Sequence, residues 1–261
     1  MKQYSNAYII GFAAGVCLIC SIVVATSAVV LKERQDLNKV LDRQKKVLIV
    51  AGLMEEGQTI TADEVQQIFD DNIRIRAINL QTGDFDEDID TVTFDQRKAT
   101  KDPALSRVAP TNRAGITRLP FRALVYERVA GDEVKLLILP IEGKGLWSTL
   151  YGFLALAPDT TTIEGMTFYE HGETPGLGGE IDNPRWKSLW KGRSAYDADW
   201  QPAITVIKGA AGPAEDDPYR VDGLSGATLT CRGVSDLVQF WLSSDGFEPF
   251  LAKFRAERSA A

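Results

Sequence analysis

One histidine, His171, and three cysteines are too few for a His-rich metal site, a disulfide framework or a four-ligand zinc site built from this chain alone. Positive charge is not in surplus either. Basic residues number 29 against 36 acidic ones, for a formal net charge of −7 and a pI near 4.9, so no basic field exists to attract nucleic acid. Nor is this a collagen-like or disordered composition: 44% hydrophobic, 25% charged and 9% aromatic residues, with 22 Gly and 11 Pro, lie close to globular averages. What the chain does have is one long apolar run and, behind it, about 230 residues, enough for one large domain or two small ones.

Residues 8–31 carry no charge, and as a helix they cover roughly 36 Å, more than the ~30 Å hydrocarbon core of a bilayer. The segment is therefore expected to span a membrane. Lys2 and the small residues Ala25-Thr26-Ser27-Ala28 would suit a cleaved signal, but signal apolar regions of about 7–15 residues are far shorter. Cys17 and Cys20 share one helix face and read as small packing residues, because Val16 and Ile19 stand where lipoprotein processing wants a small residue. Lys32, Arg34, Lys39, Arg43, Lys45 and Lys46 follow the span and only Lys2 precedes it, a charge count that by itself puts the large domain inside. Leu37, Val40, Leu41, Val47, Leu48 and Ala51 keep a helical period up to Gly52. The expected organisation is an N-terminal segment 1–31, a helical stalk 32–51 and a main domain 52–261.

Within that domain Thr61-Ala62-Asp63-Glu64 has the form of a capping box and predicts a short helix. The stretch 81–113, rich in Asp, Thr, Asn, Gly and Pro, reads as an irregular excursion. Segments 121–129 and 134–139, joined by Ala130-Gly131-Asp132-Glu133, predict a hairpin, and 151–156, 163–170 and 204–207 predict further strands. Two late helices follow from Val234, Leu237, Val238 and Trp241 and from Phe247, Phe250, Leu251 and Phe254. Strands in the middle with helices at the flanks give an α+β class with a central sheet. Trp186 and Trp190 read as the core face of another helix, and Cys231 as a small buried hydrophobe.

Asp222-Gly223-Leu224-Ser225-Gly226-Ala227-Thr228-Leu229-Thr230 gathers small residues and hydroxyls just before the first late helix. A helix N-terminus there would favour an anion, a phosphate in particular, with Gly226 and Ala227 permitting close approach. From the residues alone the plainer account is a cap by Ser225 or Thr230 and a glycine turn.

Residues 222–228 also resemble the flavinylation sequence Asp-x-x-Ser/Thr-Gly-Ala-Thr, at which a flavin transferase attaches FMN to the final threonine through a phosphoester. Two further stretches accompany it: Gly143-Lys144-Gly145-Leu146-Trp147-Ser148, and His171-Gly172-Glu173-Thr174-Pro175-Gly176-Leu177-Gly178, which is similar to a Glu-Thr-Pro-Gly-Leu-Gly loop of the same proteins. With the N-terminal span, they make the chain resemble the C subunits of the sodium-translocating NADH:quinone reductases.

The resemblance implies an FMN-binding domain with covalent FMN on Thr228, and Ser225, Gly226 and Ala227 meeting the phosphate. Asp222, which would repel a phosphate, is implied to be read by the transferase. An isoalloxazine ring needs apolar walls and polar contacts at its edge. Leu146, Trp147 and Leu177 are the candidates for walls, and Glu173, Thr174, Gly176 and Gly178 for the ring edge or ribityl chain. Lys208 is either a stabiliser of the reduced ring or a solvated lysine at a strand end. His171 is expected to be structural, because electron transfer needs no general acid or base; no catalytic residue and no metal ligand is assigned. Implied partners are the other subunits of an assembly of six, the transferase and membrane lipid. The implied place is the bacterial inner membrane with the FMN domain on the periplasmic side, against the charge count. There the protein would relay electrons from an iron centre toward the FMN of a large membrane subunit and ubiquinone, without turnover of its own. The alternatives are the G subunit of an Rnf-type ferredoxin:NAD oxidoreductase, which shares the span and the flavinylation sequence, and an unmodified membrane-anchored scaffold.

Overall fold

The computed structural model describes residues 5–260, and the chain divides into two compact units, Met1–Arg43 and Gln44–Ala261. Helix α1, Asn6–Val50, supplies nearly all of the first unit. Its most apolar window has a mean hydropathy of 2.5 and no buried residue, and it is long and apolar enough to cross a membrane. The last turns of α1 belong to the second unit. Val47 and Leu48 are fully buried there, so the compact domain begins at Gln44 and not at residue 52. Arg128 Nη1 donates to the Ala51 carbonyl at 2.9 Å, and Gly52, at φ +68°, turns the chain away as its position after the helical period suggests.

Helix α2, Ala62–Asn72, starts at the predicted capping box: Thr61 Oγ1 accepts from the Glu64 amide and the Glu64 carboxylate accepts from the Thr61 amide. It runs without a break into strand β1, Ile73–Asn79, which sequence patterning does not anticipate. The excursion expected over 81–113 holds helix α3, Gln96–Lys101, and strand β2, Ser106–Val108, which pairs with β3, Arg118–Pro120. The strands expected over 121–129, 134–139, 151–156 and 163–170 are present as β4, Arg122–Ala130, β5, Glu133–Lys144, β6, Thr149–Leu156, and β7, Ile163–Glu170. These four form an antiparallel meander, and β1 pairs with the free edge of β4 to give the order β1-β4-β5-β6-β7. Ala130 pairs with Glu133, leaving Gly131-Asp132 as a two-residue turn with Gly131 at φ +62°.

After a 3-10 turn, Gly178–Asp182, and helix α4, Pro184–Ser188, come a two-residue parallel ladder of β8, Thr205–Val206, with β9, Arg220–Val221, and then helices α5, Thr228–Trp241, and α6, Glu248–Ala260. Trp186 and Trp190 are buried edge to face, 5.7 Å apart, but not on one helix face as expected: α4 ends at Ser188, and Trp190 lies in the turn beyond it. α5 presses onto β5. At Gly143 a Cβ would come within 2.5 Å of Leu237 Cβ, and Trp241 Nε1 donates to the Glu142 carbonyl at 2.7 Å. This close approach brings the N-terminus of α5 to the end of β5.

Candidate functional site

Thr228 is the first residue of α5 and is exposed. The N-cap is Ala227, which offers no side-chain hydrogen bond, so the 14-residue helix starts uncapped and its first amides lack intrahelical partners. The cap expected of Ser225 or Thr230 is therefore absent: Ser225 lies exposed in the preceding turn, and the Thr230 hydroxyl points elsewhere. Gly226, at φ +73°, makes the sharp entry to the helix, and a Cβ on it would lie 2.9 Å from Leu177 Cδ2.

On one side of Thr228 lies a cavity of about 1020 Å3, lined by Ser225, Gly226, Lys208, Arg113, Arg232 and Asp236 among others. Its wall is held by the β8–β9 ladder and by the Gly223 amide donating to the Gly209 carbonyl at 2.8 Å. Lys208, just past the end of β8, is exposed and lines the same cavity as the Thr228 segment. Arg113 and Arg232 are additions. Arg232 stands four residues after Thr228, so helical spacing places it on the same face, whereas Arg113 comes from an irregular loop no motif would single out. Asp222 is half-buried, and its carboxylate accepts from the Ala211 amide at 2.9 Å, which ties the 209–212 turn to the motif. Ala227 is buried and presents only backbone.

Leu146, Trp147 and Leu177 are exposed, Trp147 by 71%, but they do not line that cavity; Leu146 and Trp147 sit on the loop after β5, and Leu177 borders Gly226. Thr174 and Gly176 are exposed on the same loop, with Gly176 at φ +76° and the Thr174 carbonyl accepting from the amides of Leu177 and Gly179.

Glu173 is a correction. Expected at the edge of a ligand, it is 4% exposed, and its oxygens accept from the amides of Trp147 (2.9 Å), Leu146 (3.2 Å) and Ser148 (3.3 Å) and from the Thr230 hydroxyl (2.6 Å). Burial pushes the Glu173 carboxyl up, but these donors more than reverse that and hold it below the usual glutamate range. Gly178 is corrected with it: it is buried, and a Cβ there would stand 2.5 Å from Thr230 Oγ1, so its smallness serves the interior and not a ligand. His171 Nδ1 accepts from the Glu173 amide at 3.2 Å, and its Nε2 faces Asp182 at 2.8 Å. Cys231 is buried and Cys17 and Cys20 are exposed; among the described residues no cluster of His, Cys, Asp and Glu could hold a metal ion.

The uncapped helix start, the glycine turn and the exposed Thr228 hydroxyl all lie within residues 145–243, which match the FMN-binding domain family, and that match sets the class. The C subunit of the Na(+)-translocating NADH-quinone reductase of Pseudomonas aeruginosa is 46% identical over 97% of this chain and 98% of its own length, and that of Vibrio anguillarum is 47% identical over 91% of each. The crystal structure of Shewanella oneidensis NqrC superposes with a TM-score of 0.76 at 36% identity, covering 86% of this chain and 99% of that one. The chain belongs to the NqrC family, the C subunits of Na(+)-translocating NADH-quinone reductases.

Proposed function

We propose that this chain is the flavin-bearing C subunit of a sodium-translocating NADH:quinone reductase, with FMN esterified through its phosphate to Thr228 Oγ. The observation that carries the reading is the exposed Thr228 hydroxyl at the uncapped start of α5, on the rim of the cationic cavity. The residues present fit the group: Gly226 leaves the turn bare where a phosphate must approach, and the cavity volume of about 1020 Å3 is ample for a flavin. Bound FMN would supply reversible one- and two-electron redox chemistry there.

The chain's own part is to bind and shield. The first amides of α5 and the Ser225 hydroxyl stabilise the remaining negative charge of a phosphodiester, and Arg113, Lys208 and Arg232, which line the same cavity, counter it. Leu177, which borders Gly226, and the exposed Leu146 and Trp147 of the neighbouring loop supply apolar surface for the ring. Asp222, with its carboxylate drawn to the Ala211 amide, shapes the motif that a flavin transferase would recognise. The apolar part of α1 anchors the chain in the inner membrane, where it joins the other subunits of the complex and relays electrons toward quinone. The domain lies on the periplasmic side in this reading, against the flanking charge count. The relatives favour the quinone reductase over an Rnf-type complex.

The test is in-gel flavin fluorescence of the denatured chain coexpressed with a flavin transferase, with mass spectrometry of the peptide holding Thr228. The expected result is a fluorescent band carrying one FMN, lost in Thr228→Val with membrane insertion intact. A dark wild-type band of unmodified mass would return the chain to a scaffold.

A further inference from the structure

Three sequence motifs far apart in the chain meet at one buried carboxylate. Glu173 Oε1 accepts from the Trp147 and Ser148 amides, and Oε2 from the Leu146 amide and the Thr230 hydroxyl. The surroundings are cut to fit it: a Cβ on Gly145 would come 2.6 Å from Oε1, and one on Gly178 would come 2.9 Å from Oε2. A second clasp runs alongside, with the Gly172 amide donating to Ser148 Oγ at 2.6 Å. Thr230 sits in the first turn of α5, two residues beyond Thr228, so whatever fixes Thr230 fixes the helix start.

We propose that Glu173 is the positioning residue of the flavin site: by gripping the 145–148 loop and Thr230 together, it sets where Leu146 and Trp147 stand relative to the first turn of α5. The proposal rests on the reading of Thr228 as flavin-bearing. Glu173 itself is enclosed and does not reach the ligand; it acts through the loop it holds. A loop whose three successive amides converge on one anion has a single arrangement while that anion is present, and it loosens when an acceptor becomes a donor. The exposed indole of Trp147 is the part of the loop that a ring beside Thr228 would feel.

The experiment uses the full-length chain in membranes, coexpressed with a flavin transferase, as wild type, Glu173→Gln, Thr230→Val and Thr230→Ser. Two readouts are taken: amide hydrogen exchange at residues 146–148, and the visible circular dichroism and midpoint potential of the attached flavin. In Glu173→Gln the amide nitrogen of the new side chain faces donors, and exchange at Trp147 and Ser148 is expected to rise at least about tenfold. The flavin dichroism and potential move with it. Thr230→Val shows the same changes to a lesser degree, and Thr230→Ser restores the wild-type values. Should Glu173→Gln fail to fold, the Thr230 pair decides by itself. Wild-type exchange and wild-type flavin spectra in Glu173→Gln, or no rescue by serine at position 230, would overturn the proposal while the reading of Thr228 stands. A wild-type chain without flavin takes down that reading first, and the proposal with it.

Discussion

The Thr230 hydroxyl donates to a carboxylate that has almost no solvent to turn to. Removing that donor in Thr230→Val leaves a nearly isosteric side chain, so the cost is chiefly that of the hydrogen bond to a charged group, about 1.5–3 kcal/mol. The pH dependence has a definite sign. The folded-state pKa of Glu173 lies below its unfolded value, so the stability it contributes is complete above the ordinary glutamate pKa of about 4.3 and is lost as the pH falls through the lower folded value. The gap in urea midpoint between wild type and Thr230→Val is therefore expected to be widest near neutrality and to shrink below that range. A gap that stays flat down to strong acid would mean that Thr230 does not serve an ionised carboxylate. Sequence alone does not reveal this role, because a glutamate ahead of Thr-Pro-Gly reads as a loop residue facing solvent. Its amide partners lie 25 to 27 residues earlier and its hydroxyl partner 57 residues later.

At the scale of elements the closest packing is that of α5 on the end of β5. In an ordinary exposed helix interior alanine is better than glycine by about 1 kcal/mol. At Gly233 the sign is expected to invert. A Cβ there would collide with the Lys144 carbonyl oxygen and lie 3.2 Å from Gly145 Cα, and backbone cannot swing aside as a flexible side chain can. Gly233→Ala should therefore destabilise the domain by about 1–3 kcal/mol, read from denaturant unfolding; Gly145→Ala, with its Cβ 2.6 Å from Glu173 Oε1, should lose a similar amount. The apolar spacing that announces α5 is plain in the sequence, as are the meander strands with their β-branched runs and the Thr61 capping box. Strand β1 is hidden because α2 passes from Asn72 to Ile73 with no glycine or proline between them. α3, β2 and β3 are three to six residues long, too short for a period to register. Thr228 stands out in the sequence through its motif; Arg113, which lines the same cavity, does not, since only the tertiary fold brings its loop there.

For the molecule as a whole, the domain boundary is an energetic matter. Val47 and Leu48 are fully buried, and Lys46 and Lys187 both pair with Glu56, at 3.3 and 2.5 Å. A chain starting at Gly52 gives up the buried Val50 and Ala51 and also two fully buried side chains, Val47 and Leu48, which alone are worth about 3–6 kcal/mol together, against a total domain stability of about 5–15 kcal/mol. A chain starting at Gln44 is expected to melt cooperatively, and one starting at Gly52 to melt far lower or not to fold. Equal melting temperatures for the two would contradict this account. The same wiring governs the order in which the protein can be made. The meander from β4 to β7 joins neighbours in sequence and can form early during synthesis, whereas Glu173 waits 57 residues for Thr230, and the Glu142 carbonyl 99 residues for Trp241. The helix that displays Thr228 is thus set in place only after Trp241 has been made, so a modifying enzyme that needs that helix start would pass over chains that stop short of it.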